Sequence, residues 1–175
     1  CSSDLCPFPT LANAVNTVIQ TIQAGVPVAR MELLDEVQID AVNRYSKLSN
    51  AVQPTLFFEF HGSAAAVAEH AQMVREIAAG EGAKDFHWTA SPEERAKLWE
   101  ARHNVLYACL ALKPGARAWA TDVCVPISRL ADCILETKKD LDASFLLAPI
   151  VGHAGDGNFH LSLLIDPDKP EDYAR

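Results

Sequence analysis

The chain has 175 residues, 49% of them hydrophobic, with 15 Lys and Arg against 23 Asp and Glu and a net charge of −8. That length suits one domain with a real core, and that hydrophobic content excludes a disordered chain. The acidic balance speaks against nucleic acid, which wants clustered Lys and Arg, and no apolar run is long enough to span a membrane. Five cysteines (Cys1, Cys6, Cys109, Cys124 and Cys133) include no Cys-x-x-Cys pair, so buried thiols in a reducing compartment are expected. No signal-peptide pattern opens the chain. The missing initial Met and the charged stretch that stops at Arg175 predict a piece of a longer protein.

Strand and helix signals alternate from there. Thr10 is placed to cap a helix carrying Leu11, Ala14, Val15, Val18, Ile19 and Ile22, which Gly25 and Pro27 end. Val26 to Leu34 reads as a strand. Glu36 to Leu48 reads as an amphipathic helix with Val37, Ala41 and Tyr45 on one face. Pro54 to His61 predicts a strand with Thr55, Phe57, Glu59 and His61 on one face and Leu56, Phe58 and Phe60 on the other. Ser63 opens a helix to about Gly80, and a strand over Asp85 to Thr89 follows. Ser91-Pro92-Glu93-Glu94 combines a cap, a first-turn Pro and two acids, and starts a helix to about Leu112. Ala116 to Val125 reads as a strand, Ser128 as the cap of a helix to about Asp142, and Phe145 to Val151 and Leu161 to Ile165 as two strands of a hairpin.

This order predicts an α+β fold, a mostly antiparallel sheet with helices packed on one face, as in ferredoxin-like sheets. A Rossmann fold is disfavoured, because no Gly-x-Gly-x-x-Gly follows a strand and opens a helix.

The densest cluster of special residues is Gly152-His153-Ala154-Gly155-Asp156-Gly157-Asn158-Phe159-His160. Gly and Asn tolerate positive φ, so the segment reads as a tight turn that lets His153 and His160 face one point. Two converging imidazoles begin a site for a borderline divalent metal, although an ordinary hairpin also accounts for paired histidines. Arg102, three residues after Trp99 on a helix, either covers the core with its stem or grips a carboxylate. Asp35 reads as a helix cap, and the pairs Arg30/Glu32 and Glu59/His61 as solvated or partner-facing sheet surface. Asp122 interrupts an apolar run, as an exposed strand position or as a binding residue. No nucleophile elbow or Walker loop is present.

The hairpin segment resembles the Gly-His-x-Gly-Asp-Gly-Asn-x-His signature of FAD-linked oxidases of the vanillyl-alcohol-oxidase type, in their C-terminal substrate (cap) domain. Four further segments share the resemblance: Phe8-Pro9-Thr10-Leu11, Ala29-Arg30-Met31-Glu32-Leu33-Leu34-Asp35, Leu98-Trp99-Glu100-Ala101-Arg102-His103-Asn104 and the stretch from Thr121 to Leu130. Together they are most similar to the D-lactate dehydrogenase (cytochrome) branch. The resemblance implies that residues 1–175 form part of a cap domain, with an FAD-binding domain and a C-terminal end outside the sequence. That C-terminal end would carry a Gly-Glu-His-Gly segment with a third metal ligand and the catalytic histidine, so no catalytic residue is expected here.

Position by position, the resemblance makes His153 and His160 ligands of a divalent metal, zinc or manganese. It makes Arg102 the holder of the substrate carboxylate, and sets Gly155, Gly157 and Asn158 near the cofactor. Leu106, Ala120 and Ser162 stand where the hydroxyglutarate branch has Thr, Lys and Asn, which favours a small apolar substrate tail. The implied activity is flavin-dependent oxidation of a D-2-hydroxy acid, D-lactate to pyruvate above all, with electrons leaving to a cytochrome or quinone. The implied compartment is the bacterial cytoplasm or the mitochondrion, with at most peripheral membrane contact. The alternatives are a glycolate or D-2-hydroxyglutarate dehydrogenase and a non-catalytic ferredoxin-like binding module.

Overall fold

Thr55-Leu56-Phe57-Phe58-Glu59-Phe60 is rich in aromatic and β-favouring side chains, and it forms a strand buried at every position. A strand buried on both faces must be covered on both. The computed structural model, which describes residues 2–174, shows how. The first half of the chain runs β1 (Ser2–Pro7), α1 (Leu11–Gln23), β2 (Arg30–Leu34), α2 (Glu36–Ser46), β3 (Thr55–Phe60), α3 (Ala64–Gly80) and β4 (His87–Thr89). These strands lie in the order β4-β1-β3-β2, each antiparallel to its neighbour. β1 and β2 therefore flank β3, the split β-α-β of a ferredoxin-like sheet, with α2 inserted between β2 and β3.

The second half runs α4 (Pro92–His103), α5 (Val105–Leu112), β5 (Arg117–Ala120), β6 (Val123–Cys124), α6 (Leu130–Asp142), β7 (Ile150–Gly152), β8 (Asn158–Ile165) and α7 (Pro170–Ala174). β7 extends the sheet from β2, and β8 pairs with β7, β5 and β6, all antiparallel. Side-chain oxygens cap the helices as their residue types require: Thr10, Asp35, Ser63 and Ser91 each accept a backbone N–H from three residues on.

Alternation along the strands sorts the core into two layers. Cys6, Met31, Leu33, Leu56, Phe58, Phe60, Ile150 and Phe159 pack with Val15 and Val18 of α1, Val67 and Val74 of α3, and Leu130 and Ile134 of α6. Leu34, Phe57 and Val151 pack with Ile39 and Val42 of α2, Trp99 of α4 and Ala108 of α5. The fold is α+β with an antiparallel sheet, as expected. The expectation of helices on one face is corrected, because α2, α4 and α5 cover the second face.

Other expectations shift for local reasons. The strand expected from Val26 begins only at Arg30: Val28 N–H turns back to the Val26 carbonyl, and Ala29 N–H is the first to reach β3, at the Glu59 carbonyl. α2 ends at Ser46, with Lys47 left-handed at φ 54°, and buries Gln38, Ile39, Ala41 and Val42, while Tyr45 is exposed. Buried Gln38 is satisfied by α5: its amide donates to the Val105 carbonyl and accepts from the Cys109 thiol. The helix expected to run unbroken from Ser91 to Leu112 is two, with the junction at Asn104. The strand expected over 116–125 parts at Thr121-Asp122 into β5 and β6. Ser128 lies in a 3-10 turn before α6 and caps nothing. The strand expected from Phe145 is regular only at Ile150–Gly152, although the Leu147 and Pro149 carbonyls still accept from Leu164 and Ser162 of β8.

Candidate active site

The β7–β8 connection brings the two histidines together. His153 follows β7, a 3-10 turn spans Ala154–Asp156, and β8 begins at Asn158, with His160 opposite Val151. The ring centroids of His153 and His160 are 5.7 Å apart, with the planes at 87°. Each ring is held by its Nδ1. His160 Nδ1 lies 3.0 Å from the Thr121 carbonyl oxygen, and His153 Nδ1 lies 2.8 Å from Glu32 Oε1. A carbonyl and a carboxylate only accept, so each Nδ1 donates, and in a neutral ring the lone pair then lies on Nε2. This is the arrangement in which a second partner orients a metal-binding imidazole. It fits two positions of a metal site. Among the described residues no group of three or more His, Cys, Asp or Glu is arranged to hold a metal ion.

Arg102 reaches the same place from α4. Its Nε and Nη2 lie 3.2 and 2.8 Å from Glu32 Oε2, and its side chain is 12% exposed. Arg30, Glu32, Trp99, Arg102, His153 and Asp156 line one cleft of about 290 Å³. A smaller cavity of about 130 Å³ adjoins it, walled by Met31, Gly155 and the same Glu32 and His153. The structure thus joins Arg102, His153 and His160, the three residues the sequence singled out for substrate and metal.

Gly157 and Asn158 have reasons within the domain for being what they are. Gly157 has φ 73°, and a Cβ there would lie 2.2 Å from the Val125 carbonyl oxygen. A Cβ on Gly155 would make only ordinary contact with Met31, at 3.4 Å, so nothing within the domain requires glycine there. The Asn158 amide donates to Asp122 Oδ1 at 2.7 Å and to the Val123 carbonyl at 3.2 Å, tying the hairpin to β6. Asp122 is an exposed position beside the site, 3.5 Å from His160 Nδ1. Ala120 and Ser162 are cross-strand partners on the side of β8 that carries His160, and Leu106 stands exposed on α5.

Two contributors were not legible as site residues. Glu32 read as sheet surface, yet it is 6% exposed and bonds both Arg102 and His153. The Thr121 carbonyl, which sets the His160 ring, belongs to the backbone and has no residue-type signal. Glu59 likewise read as surface and is buried. It meets Arg30, His61 and Arg95, while Ser3 accepts from Arg95 and the Trp99 indole. Burial pushes the Glu59 carboxyl up, but the His61 hydrogen bond and the charges of Arg30, His61 and Arg95 outweigh it and leave its pKa below the ordinary value.

The split β-α-β sheet carries this polar cleft beneath α4. A solved 4-ethylphenol oxidase from Gulosibacter chungangensis shares this fold, with a TM-score of 0.67 at 14% identity over 98% of this chain and 40% of that one. The family model for the FAD linked oxidases, C-terminal domain, matches residues 2–175, and the chain belongs to that family. A probable mitochondrial D-lactate dehydrogenase of Danio rerio is 49% identical over 173 residues, 99% of this chain and 35% of that protein. The mitochondrial D-lactate dehydrogenase [cytochrome] of Arabidopsis thaliana is 46% identical over 167 residues, 95% of this chain and 30% of that protein. The chain spans about a third of the length of these relatives. Among the described residues no helix is long and apolar enough to cross a membrane.

Proposed function

We propose that the chain is the substrate-binding cap domain of a flavin-dependent dehydrogenase that oxidises a D-2-hydroxy acid, D-lactate to pyruvate first. The observation that carries this reading is that a nearly buried guanidinium and the His153 imidazole share Glu32 at one cleft, with the His160 ring edge-on against His153. The names of the two relatives support D-lactate as substrate, a cytochrome as acceptor and the mitochondrion as compartment.

Arg102 binds the substrate carboxylate. Its Nε and one Nη2 hydrogen face Glu32, so the Nη1–Nη2 edge remains for a second carboxylate. His153 and His160 present Nε2 to a zinc or manganese ion, which supplies Lewis acidity to the substrate hydroxyl when bound. FAD, held mainly by a domain outside this sequence, supplies the two-electron acceptor for the hydride from Cα. The hydroxyl proton leaves to a base, which the family resemblance sets outside this sequence. Ala120 and Leu106 put no cation or hydroxyl near a distal group, which suits the methyl of lactate over a second carboxylate. The chain by itself is not expected to turn over.

The test is Arg102→Ala and His153→Ala in the full-length flavoprotein, assayed with D-lactate, glycolate and D-2-hydroxyglutarate. Arg102→Ala is expected to lower kcat/KM for D-lactate by about 2–5 kcal/mol, with KM rising. His153→Ala is expected to lose metal and turnover together. Wild-type kinetics in both variants would overturn the reading and leave a non-catalytic module, and a wild-type protein faster on glycolate or D-2-hydroxyglutarate would reassign the substrate.

A further inference from the structure

One buried carboxylate in this cleft is not among the residues the resemblance assigns to substrate or metal. Glu32 lies on β2 between Met31 and Leu33, which both point into the apolar layer. Alternation therefore commits its side chain to the opposite face, beneath α4. There its two oxygens are divided. Oε2 accepts from Arg102 Nε and Nη2 at 3.2 and 2.8 Å, and Oε1 accepts from His153 Nδ1 at 2.8 Å. The two partners come from elements 70 and 121 residues away in sequence.

We infer that Glu32 is a positioning residue that aims the Arg102 guanidinium and the His153 imidazole at one substrate at once. This rests on the hydroxy-acid reading above. Glu32 lines the cleft between the two groups. By taking Nδ1–H it turns His153 Nε2 outward, and by taking the Nε edge of Arg102 it leaves the other edge facing the cleft. A neutral amide cannot do this, because a glutamine offers one acceptor oxygen where two donor groups arrive from two sides.

Stability alone is a poor reason for such a residue. A buried ion pair gains little over apolar packing of the same volume. The molecule also holds its own control. Glu59, on the neighbouring strand and the same face, is equally buried and also binds α4, through Arg95. It touches neither Arg102 nor either hairpin histidine. A merely structural contribution predicts like behaviour for the two glutamates, whereas positioning sets Glu32 apart.

The experiment compares Glu32→Gln, Glu32→Asp and Glu59→Gln in the full-length flavoprotein. It reads kcat and KM for D-lactate, the Kd for Zn²⁺ and Mn²⁺ by chelator competition, and the thermal midpoint. Glu32→Gln is expected to lower kcat/KM by about 10–100-fold and to weaken metal binding by a similar factor. If the glutamine oxygen stays on Arg102, the loss falls on kcat and on the metal. If it turns to His153, the loss falls on KM. Glu59→Gln is expected to change the thermal midpoint and to leave metal affinity unchanged, with any kinetic change, passed on through Arg30, smaller than that of Glu32→Gln. Glu32→Asp keeps the charge and both oxygens but withdraws them by one methylene, so it covers the case in which the glutamine variant does not fold. It too is expected to fall at least about 10-fold in kcat/KM.

Wild-type kinetics and metal affinity in either folded Glu32 variant would overturn the proposal. So would losses of equal size in Glu59→Gln. If the Glu32 variants are normal while Arg102→Ala and His153→Ala are impaired, only the positioning role falls. If Arg102→Ala and His153→Ala are themselves normal, the hydroxy-acid reading falls with it.

Discussion

The two faces of the sheet bury different chemistry with the same strands. Toward α1, α3 and α6, Met31, Leu33, Leu56, Phe58 and Phe60 meet aliphatic helix residues. Toward α4, the alternate positions are Ser3, Glu32 and Glu59, and α4 answers each with Arg95, Trp99 or Arg102. Apolar burial is non-directional and sets how strongly the layers hold together. Hydrogen bonds to fixed carboxylates are directional and set where each donor points. The apolar face therefore supplies most of the stability, and the polar face fixes α4 over the cleft to within the reach of a hydrogen bond.

The largest effect that would test this division comes from Phe58, fully buried on the apolar face and stacked with Phe60 and Phe86. Phe58→Ala is expected to cost about 3–5 kcal/mol in denaturant unfolding. A loss near 1 kcal/mol would show that this layer is not the main source of stability.

Asp4 breaks the pattern on the same face, opposite Phe58 and buried. Burial pushes its carboxyl up to about 7, against the smaller pull of the Arg75 charge. The folded state then keeps a proton that the unfolded chain has lost, so this group makes stability fall as pH rises from about 4 to about 7. Asp4→Asn is expected to raise the free energy of unfolding at pH 8 by up to a few kcal/mol, at about 1.4 kcal/mol per pKa unit, and the thermal midpoint with it, with the gain vanishing near pH 4. Asp35, the N-cap of α2, is also pushed up to about 7 by burial and keeps part of the slope in that variant. A pH-independent difference would show that Asp4 does not titrate in this range.

On the polar face, Arg95→Ala removes the charged hydrogen bond to Glu59 and one to Ser3. A cost of about 1.5–3 kcal/mol is expected at pH 7. Because the folded Glu59 pKa lies below the ordinary value, its pairing stabilises above about pH 4 and is lost as pH falls through the folded value. The cost of the substitution should shrink accordingly in acid. The smallest effects are the caps. Ser63→Ala on α3 and Ser91→Ala on α4 should each cost about 1 kcal/mol, equal on the two faces because capping is local. A much larger loss at Ser91 would mean that α4 depends on its first turn to hold the polar layer.

Much of this was readable from residue order. Thr10, Asp35, Ser63 and Ser91 announced their helices because short oxygen side chains satisfy orphan N–H groups wherever they precede a helix. The hairpin announced itself because Gly157 needs positive φ and two histidines bracket the turn. The second covered face did not. α4 carries no apolar stripe, since it docks by Arg95, Trp99 and Arg102, and the glutamates beneath it have the composition of solvated strand.

Local chemistry along the chain thus announced four helix starts and the antiparallel strands, while the family and the roles expected of Arg102, His153 and His160 came from the resemblance of whole motifs. The tertiary structure decided what stands behind them. A carboxylate 121 residues from His153 and a backbone carbonyl 39 residues from His160 select which ring nitrogen faces outward. Partners so distant along the chain are chosen by strand order and register, and no local pattern encodes them.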